Sequence, residues 1–209
     1  MTYKYTVIIH ASLGGLALIS GTLAAIFKKG GQNHRKAGRL FLIFMGLSAL
    51  TAIGLTLAKP NPFLLGIGLF TLFLLASGWN WIRRISPDLK IRHARVIGIL
   101  AILASGFLFF EAFTGSQLNI VLIVFGSIML LMSGIDLFAK IKPDHFARLH
   151  GGRMGGAFIA SVTAFLVVNK FFGHPLLAWL GPTIVGSPLI SLGIRNYYKR
   201  TKSKRPKAD

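Results

Sequence analysis

Long apolar runs alternate with short polar connections along almost the whole chain. The sequence is 53% hydrophobic and 14% charged, with a mean hydropathy of +0.64. Seven runs approach the roughly 20 apolar residues that a helix needs to cross a bilayer. The pattern predicts an all-α polytopic membrane bundle, one transmembrane domain over residues 1–198 with a basic tail over 199–209. The predicted spans are 5–27, 40–58, 63–82, 96–114, 120–139, 154–172 and 176–194.

The net charge is +19, which in a soluble protein would suggest a nucleic-acid partner. The positions of the basic residues along the chain decide whether that explanation is needed. The segments after the first, third, fifth and seventh spans carry 21 of the 24 Lys and Arg residues. This asymmetry is the positive-inside pattern. It predicts an outer N-terminus, a cytoplasmic C-terminus, and contact between the basic segments and anionic lipid headgroups, with no need for nucleic acid. The sequence is also compatible with a homo-oligomer. Because the chain has no cysteine, disulfides, iron–sulfur clusters and thiol catalysis are excluded.

A histidine lies in each of the first three basic segments, just before or within the start of the following span. His34, His93 and His150 are separated by 59 and 57 residues. A near-constant period predicts three two-helix repeats followed by an extra C-terminal helix. Pro182 and Pro188 predict that this last helix is kinked or broken.

The three histidines suggest metal chemistry on the cytoplasmic side. Neutral imidazole binds iron, zinc and copper, so His34, His93 and His150 are candidate ligands of a metal ion or of a b-type haem. A haem needs only two of them, and we expect His93 with either His34 or His150. The propionates could be bound by Arg35, Arg39, Arg95 or Arg153. The alternative is that these clusters contact lipid phosphate or cap helix carbonyls.

Further ionisable residues lie inside or next to the spans. His10 and Glu111 are expected at similar depths near the outer side, where they could pair, and His174 in the last outer loop could join them. Asp136 lies near the cytoplasmic end of the fifth span. We expect it to form an ion pair with Arg39, Arg95 or Arg153.

The motifs "HRKAGRLF" (residues 34–41) and "RRISPDLKIRHARVIG" (residues 83–98), together with His10, resemble a family of uncharacterised bacterial multi-pass membrane proteins. The resemblance covers the first 110 or so residues and implies a bacterial inner-membrane location. That family shows a first-helix His, a His-Arg-x-x-Gly-Arg box and a later His-Arg pair. Here the third position reads His93-Ala94-Arg95. The histidine pattern is also loosely similar to that of membrane b-type cytochromes.

Three function classes follow from these features. The first and preferred is a haem- or metal-binding membrane redox protein. The second is a non-catalytic assembly or lipid-contact protein. The third is a small-molecule or ion permease, which the scarcity of mid-membrane polar residues disfavours. The spacing shows no hydrolase signature, so no catalytic residue is assigned.

Overall fold

The computed structural model describes residues 2–114 and 117–202, which form seven long α-helices, one short 3-10 helix and no strand. This confirms the predicted all-α fold, and each long helix is long and apolar enough to cross a membrane. The helices are α1 (Thr2–Ile26), α2 (Gln32–Ala58), α3 (Pro62–Ile82), α4 (Pro87–Thr114), α5 (Ile120–Phe138), α6 (Phe146–Val168) and α7 (Pro175–Lys202), and the 3-10 helix Pro143–His145 precedes α6.

Three helices begin well before the apolar runs that predicted them. α2, α4 and α6 start eight or nine residues upstream, inside the basic segments. Pro87 stands at the first position of α4, where its missing N–H costs nothing, and Asp88 lies in the positive first turn. The basic motifs are therefore the first turns of membrane helices. Two of these starts are also predicted by the sequence, because the prolines of Pro87-Asp88 and Pro143-Asp144 suit a first helical turn and the aspartates suit its positive end.

α7 is continuous although it contains two prolines. Pro182 and Pro188 both lie inside the helix Pro175–Lys202, so the predicted break does not occur. Each proline removes one backbone hydrogen bond, a loss that membrane helices tolerate where neighbouring groups satisfy the freed carbonyl. The predicted tail begins inside α7 at residue 199, and residues 203–209 lie outside the described part of the chain.

α3 is the central helix of the bundle. It packs against α2, α4, α5 and α6, and it has the largest buried share of the seven helices. Its Phe73 and Leu74 belong to the main core cluster, together with Met129 of α5 and Ala157 of α6. Gly78 permits the close contact with α6, because a Cβ there would lie only 3.0 Å from the Cβ of Arg153. This crossing brings α3 and α6 side chains together near the basic segments.

The packing differs from a row of three sequential hairpins. The most extensive helix contacts join α1 to α2, α4 to α5, α3 to α6 and α6 to α7, whereas α5 and α6 do not pack along each other. The histidines are therefore regularly spaced in the sequence, but the three helix pairs that this spacing predicts do not make equivalent contacts. The physical reason is that α3 buries most of its surface and takes α6, not α4, as its main neighbour.

Candidate functional site at the basic end of the bundle

The basic segments meet at one end of the bundle, which we call the basic end. The turn between α1 and α2 contains Gly30, whose φ of +78° places it in the left-handed region. Tyr197 of α7 packs against this glycine. The Tyr198 hydroxyl donates to the backbone carbonyl of Asp144, next to α6, and the Arg148 guanidinium lies over its ring. Segments far apart in the sequence therefore form one surface.

His34 lies in the first turn of α2 and is bound to the end of α1. Its Nδ1 lies 2.9 Å from the carbonyl oxygen of Ala24. That carbonyl belongs to the last turn of α1, where backbone acceptors have no partner further along the helix. The Lys29 Nζ donates to the same carbonyl at 3.0 Å and to that of Ala25 at 2.6 Å. Burial lowers the pKa of this lysine below its ordinary value. His34 and Lys29 together cap α1.

His150 lies near the start of α6 and is held by α3. Its half-buried ring has Nδ1 2.8 Å from the carbonyl oxygen of Gly78. Two of the three predicted histidines, one on α2 and one on α6, are therefore each held at the basic end by a backbone carbonyl of another helix.

Both rings share one hydrogen-bonding arrangement. A backbone carbonyl can only accept, so the Nδ1 atoms of His34 and His150 carry the hydrogens in these bonds. In a neutral imidazole the other nitrogen, Nε2, then holds a lone pair. A histidine anchored through Nδ1 to a carbonyl is the usual arrangement of a metal-ligating side chain. Each Nε2 can therefore act as a metal ligand or a proton acceptor.

His93 does not complete a three-histidine metal site. Within residues 2–114 and 117–202, no group of three or more His, Cys, Asp or Glu side chains is arranged to hold a metal ion. His93 lies on α4, which packs on α3 and α5, whereas His34 and His150 lie on α2 and α6. The predicted convergence of all three imidazoles is therefore not formed. The Nδ1 atom of His93 is buried and has no hydrogen-bond partner among the described residues.

Asp136 forms the predicted ion pair, and its partner is Arg153. The Asp136 Oδ1 and Arg153 Nη2 atoms lie 2.9 Å apart, and the two side chains are 0% and 3% exposed. Ser77 of α3 donates to Asp136 Oδ2 at 3.2 Å, and Arg153 also donates to the carbonyl of Met132 at 2.9 Å. The guanidinium lies over the ring of Phe73. The other two candidate partners, Arg39 and Arg95, are exposed.

Sequence reasoning missed the polar side chains that α3 supplies near the basic end. Ser77 and Asn80 are buried, and the Asn80 amide donates to the carbonyl of Lys90 at 2.8 Å. Trp81, which resembles an interfacial anchor in the sequence, is fully buried against Phe146. The stretch "SGWNW" (residues 77–81) was the available signal, because two small residues and an amide at the end of an apolar run favour close helix packing.

The outer candidates do not form the predicted His10–Glu111 pair. The His10 Nδ1 atom lies 3.0 Å from the Ser48 carbonyl oxygen and 3.2 Å from Thr51 Oγ1, both on α2. α1 packs on α2 and α4 on α5 and α3, so matching depth did not bring the two side chains together. Glu111 is exposed. His174 is also exposed, and its Nδ1 accepts a hydrogen bond from the Leu176 backbone N–H at 3.3 Å.

Comparison with known proteins yields one short match. No protein family and no solved structure matches the chain. The chain is 43% identical over 63 residues to the oxaloacetate decarboxylase beta chain of Haemophilus ducreyi, a match that covers 28% of this chain and 14% of that protein. Because so little of that relative is spanned, the match defines no family for this chain. What the fold and sequence establish is a multi-pass helical membrane protein.

Proposed function

We propose that this membrane protein binds a b-type haem through His34 and His150 at the basic end and takes part in electron transfer. The observation that carries the proposal is that two imidazoles at the basic end are each anchored through Nδ1 to a backbone carbonyl. This leaves two Nε2 lone pairs on separate helices. When bound, a haem supplies reversible one-electron chemistry.

The number of ligands favours haem over a free metal ion. A structural zinc site needs four protein ligands and a catalytic one commonly three. The described residues contain no group of three such side chains. A haem iron takes four nitrogens from its own macrocycle, so His34 and His150 would be enough to hold it. Two histidines therefore suit haem and fall short for zinc.

The surrounding residues support an anionic cofactor. Arg39 is exposed on α2, and an arginine binds carboxylates such as the haem propionates well. Arg153 is not available, because it is paired with Asp136. The carbonyls of Ala24 and Gly78 fix the tautomer and orientation of the two rings.

A visible-range spectrum of the detergent-purified protein, oxidised and then reduced with dithionite, tests the proposal. We expect haem bands in the wild type, confirmed by iron analysis, and their loss in His34→Ala and in His150→Ala. His174→Ala is the matched control because that ring is exposed and lies in the connection between α6 and α7. His93→Ala should keep the spectrum. Size-exclusion profiles separate loss of haem from loss of folding. A wild-type protein without haem bands after growth with added haem precursor would refute the proposal.

A second candidate is ion translocation, for which the buried Asp136–Arg153 pair is the specific support. Charged side chains inside membrane spans commonly belong to ion or proton pathways. The short match to the oxaloacetate decarboxylase beta chain is not independent support for ion translocation by this chain. Proteoliposomes containing a pH-sensitive dye test it. Wild-type protein should dissipate a proton gradient, and Asp136→Asn reconstituted in equal amount as monodisperse protein should not, whereas equal leak rates would exclude this function.

A further inference from the structure

An apolar groove lies near the outer ends of α2, α3 and α4, at the end of the bundle opposite the histidines. α2 and α4 both pack on α3 but not extensively on each other, so a gap remains between them with α3 as its floor. The groove has a volume of about 630 Å³. That size is within the range of small-molecule sites, roughly 300–1,000 Å³.

The walls of the groove are almost entirely hydrophobic. They include Leu57 of α2, Leu65 and Leu69 of α3, and Leu103 and Phe107 of α4. Leu57 and Leu103 are 87% and 66% exposed, so the groove is accessible from outside the bundle. Two polar wall residues are already engaged, because Thr56 donates to the carbonyl of Ile53 and Asn61 caps α3.

Glu111 is the one acidic residue that lines this groove. It has no hydrogen bond or ion pair with any other side chain in the described ranges, and it is exposed. It lies three residues before the end of α4, at about 4.5 Å along the axis from that end, given a rise of ~1.5 Å per residue. A carboxylate inside a membrane span normally has a partner or faces a cavity. Here the groove is the cavity, and no side chain among residues 2–114 and 117–202 is a partner of Glu111.

We propose that this groove binds a lipophilic organic cation, with the cationic group at Glu111 and the apolar body extending towards Leu103. Those two residues are eight positions apart on one helix, about 12 Å of groove length. The apolar walls recognise the body of the ligand, and the carboxylate distinguishes a cation from a neutral lipid chain. Phe107 also lines the groove, one helical turn before Glu111, and supplies an aromatic ring for a cation–π contact with the ligand.

Equilibrium binding of radiolabelled tetraphenylphosphonium to the full chain in phosphatidylcholine nanodiscs tests this proposal, with empty nanodiscs as background. We expect saturable binding that weakens about tenfold in Glu111→Gln, a change of about 1.4 kcal/mol. Glu111→Asp should recover part of the affinity. Leu103→Trp, which fills the groove while keeping the carboxylate, should also weaken binding. Asp88→Asn is the matched control, because it neutralises an exposed carboxylate at the opposite end of α4.

Three results would overturn the inference. They are binding that does not saturate above the empty-nanodisc background, equal affinity in Glu111→Gln and wild type, and equally effective competition by uncharged triphenylphosphine. The last two would mean that the groove accepts lipid chains without charge recognition. Because the groove and the histidine pair lie at opposite ends of the bundle, the haem spectrum and cation binding succeed or fail independently.

Discussion

Asp136 and Arg153 join two helices that are consecutive in the chain but do not pack along each other. Their charged groups meet at 2.9 Å with almost no exposure. Ser77 of α3 donates to the same carboxylate, so the pair ties α5 and α6 to the central helix. Breaking such a pair leaves a charge buried without compensation, which costs far more than an exposed ion pair contributes.

Asp136→Asn should therefore destabilise the bundle by about 3–5 kcal/mol, because the Arg153 charge loses its counter-charge. The measurement is the thermal midpoint of the monodisperse protein in detergent. Combining it with Arg153→Met should recover much of the loss, since both buried charges are then removed. Asp88→Asn, an exposed carboxylate, should shift stability by less than about 0.5 kcal/mol. A single mutant as stable as the wild type would show that the pair is energetically unimportant.

Gly78 should be far less tolerant of substitution than an open helix glycine. A Cβ at Gly78 would lie 2.9 Å from Met154 Sδ and 3.0 Å from Arg153 Cβ, whereas a Cβ at Gly106 meets nothing within 4 Å. Gly78→Ala should cost about 1–3 kcal/mol through overpacking. Gly106→Ala should instead stabilise α4 by up to about 1 kcal/mol through helix propensity. Matched thermal midpoints of the two variants measure this difference, and equal effects would argue against close α3–α6 contact.

Lys29 should make stability rise with pH in the alkaline range. Burial lowers the pKa of Lys29 in the folded protein, so between that lowered value and the unfolded value the unfolded chain binds more protons. The free energy of unfolding therefore increases with pH through this window. Below the window, the contribution of Lys29 to stability is at its lowest. Chemical denaturation at several alkaline pH values measures the slope of the unfolding free energy against pH. Lys29→Met should reduce the slope and Lys28→Met should not. An unchanged slope in Lys29→Met would contradict the assignment.

The predicted orientation can be tested directly because the natural chain has no cysteine. Ser86 lies in the connection between α3 and α4 at the basic end, and Gln117 lies between α4 and α5. Each is replaced by cysteine in its own variant. A membrane-impermeant maleimide should label Gln117→Cys in spheroplasts and Ser86→Cys only in inverted vesicles. The reverse result would place the basic end, and with it the histidine pair, outside the cell.

The sequence determined the class of structure, because apolar runs long enough to cross a bilayer are a local property. It also predicted the ion pair of Asp136 with Arg153 among three alternatives, since a carboxylate in a span needs a nearby cation. The predicted spans begin eight or nine residues after α2, α4 and α6 do, because hydropathy marks the lipid-embedded part of a helix and the basic first turns are helical without being apolar.

Only the tertiary structure decided which side chains share a site. Equal spacing suggested that His34, His93 and His150 converge, and equal depth suggested that His10 meets Glu111. Which residues meet depends on which helices become neighbours, and that is set by close contacts such as Gly78 against α6 and by the central position of α3. Those contacts join residues distant in the chain. The anchoring of His34 on α1 and of His150 on α3, and the separation of Glu111 from His10, therefore follow from helix packing, which no local pattern encodes.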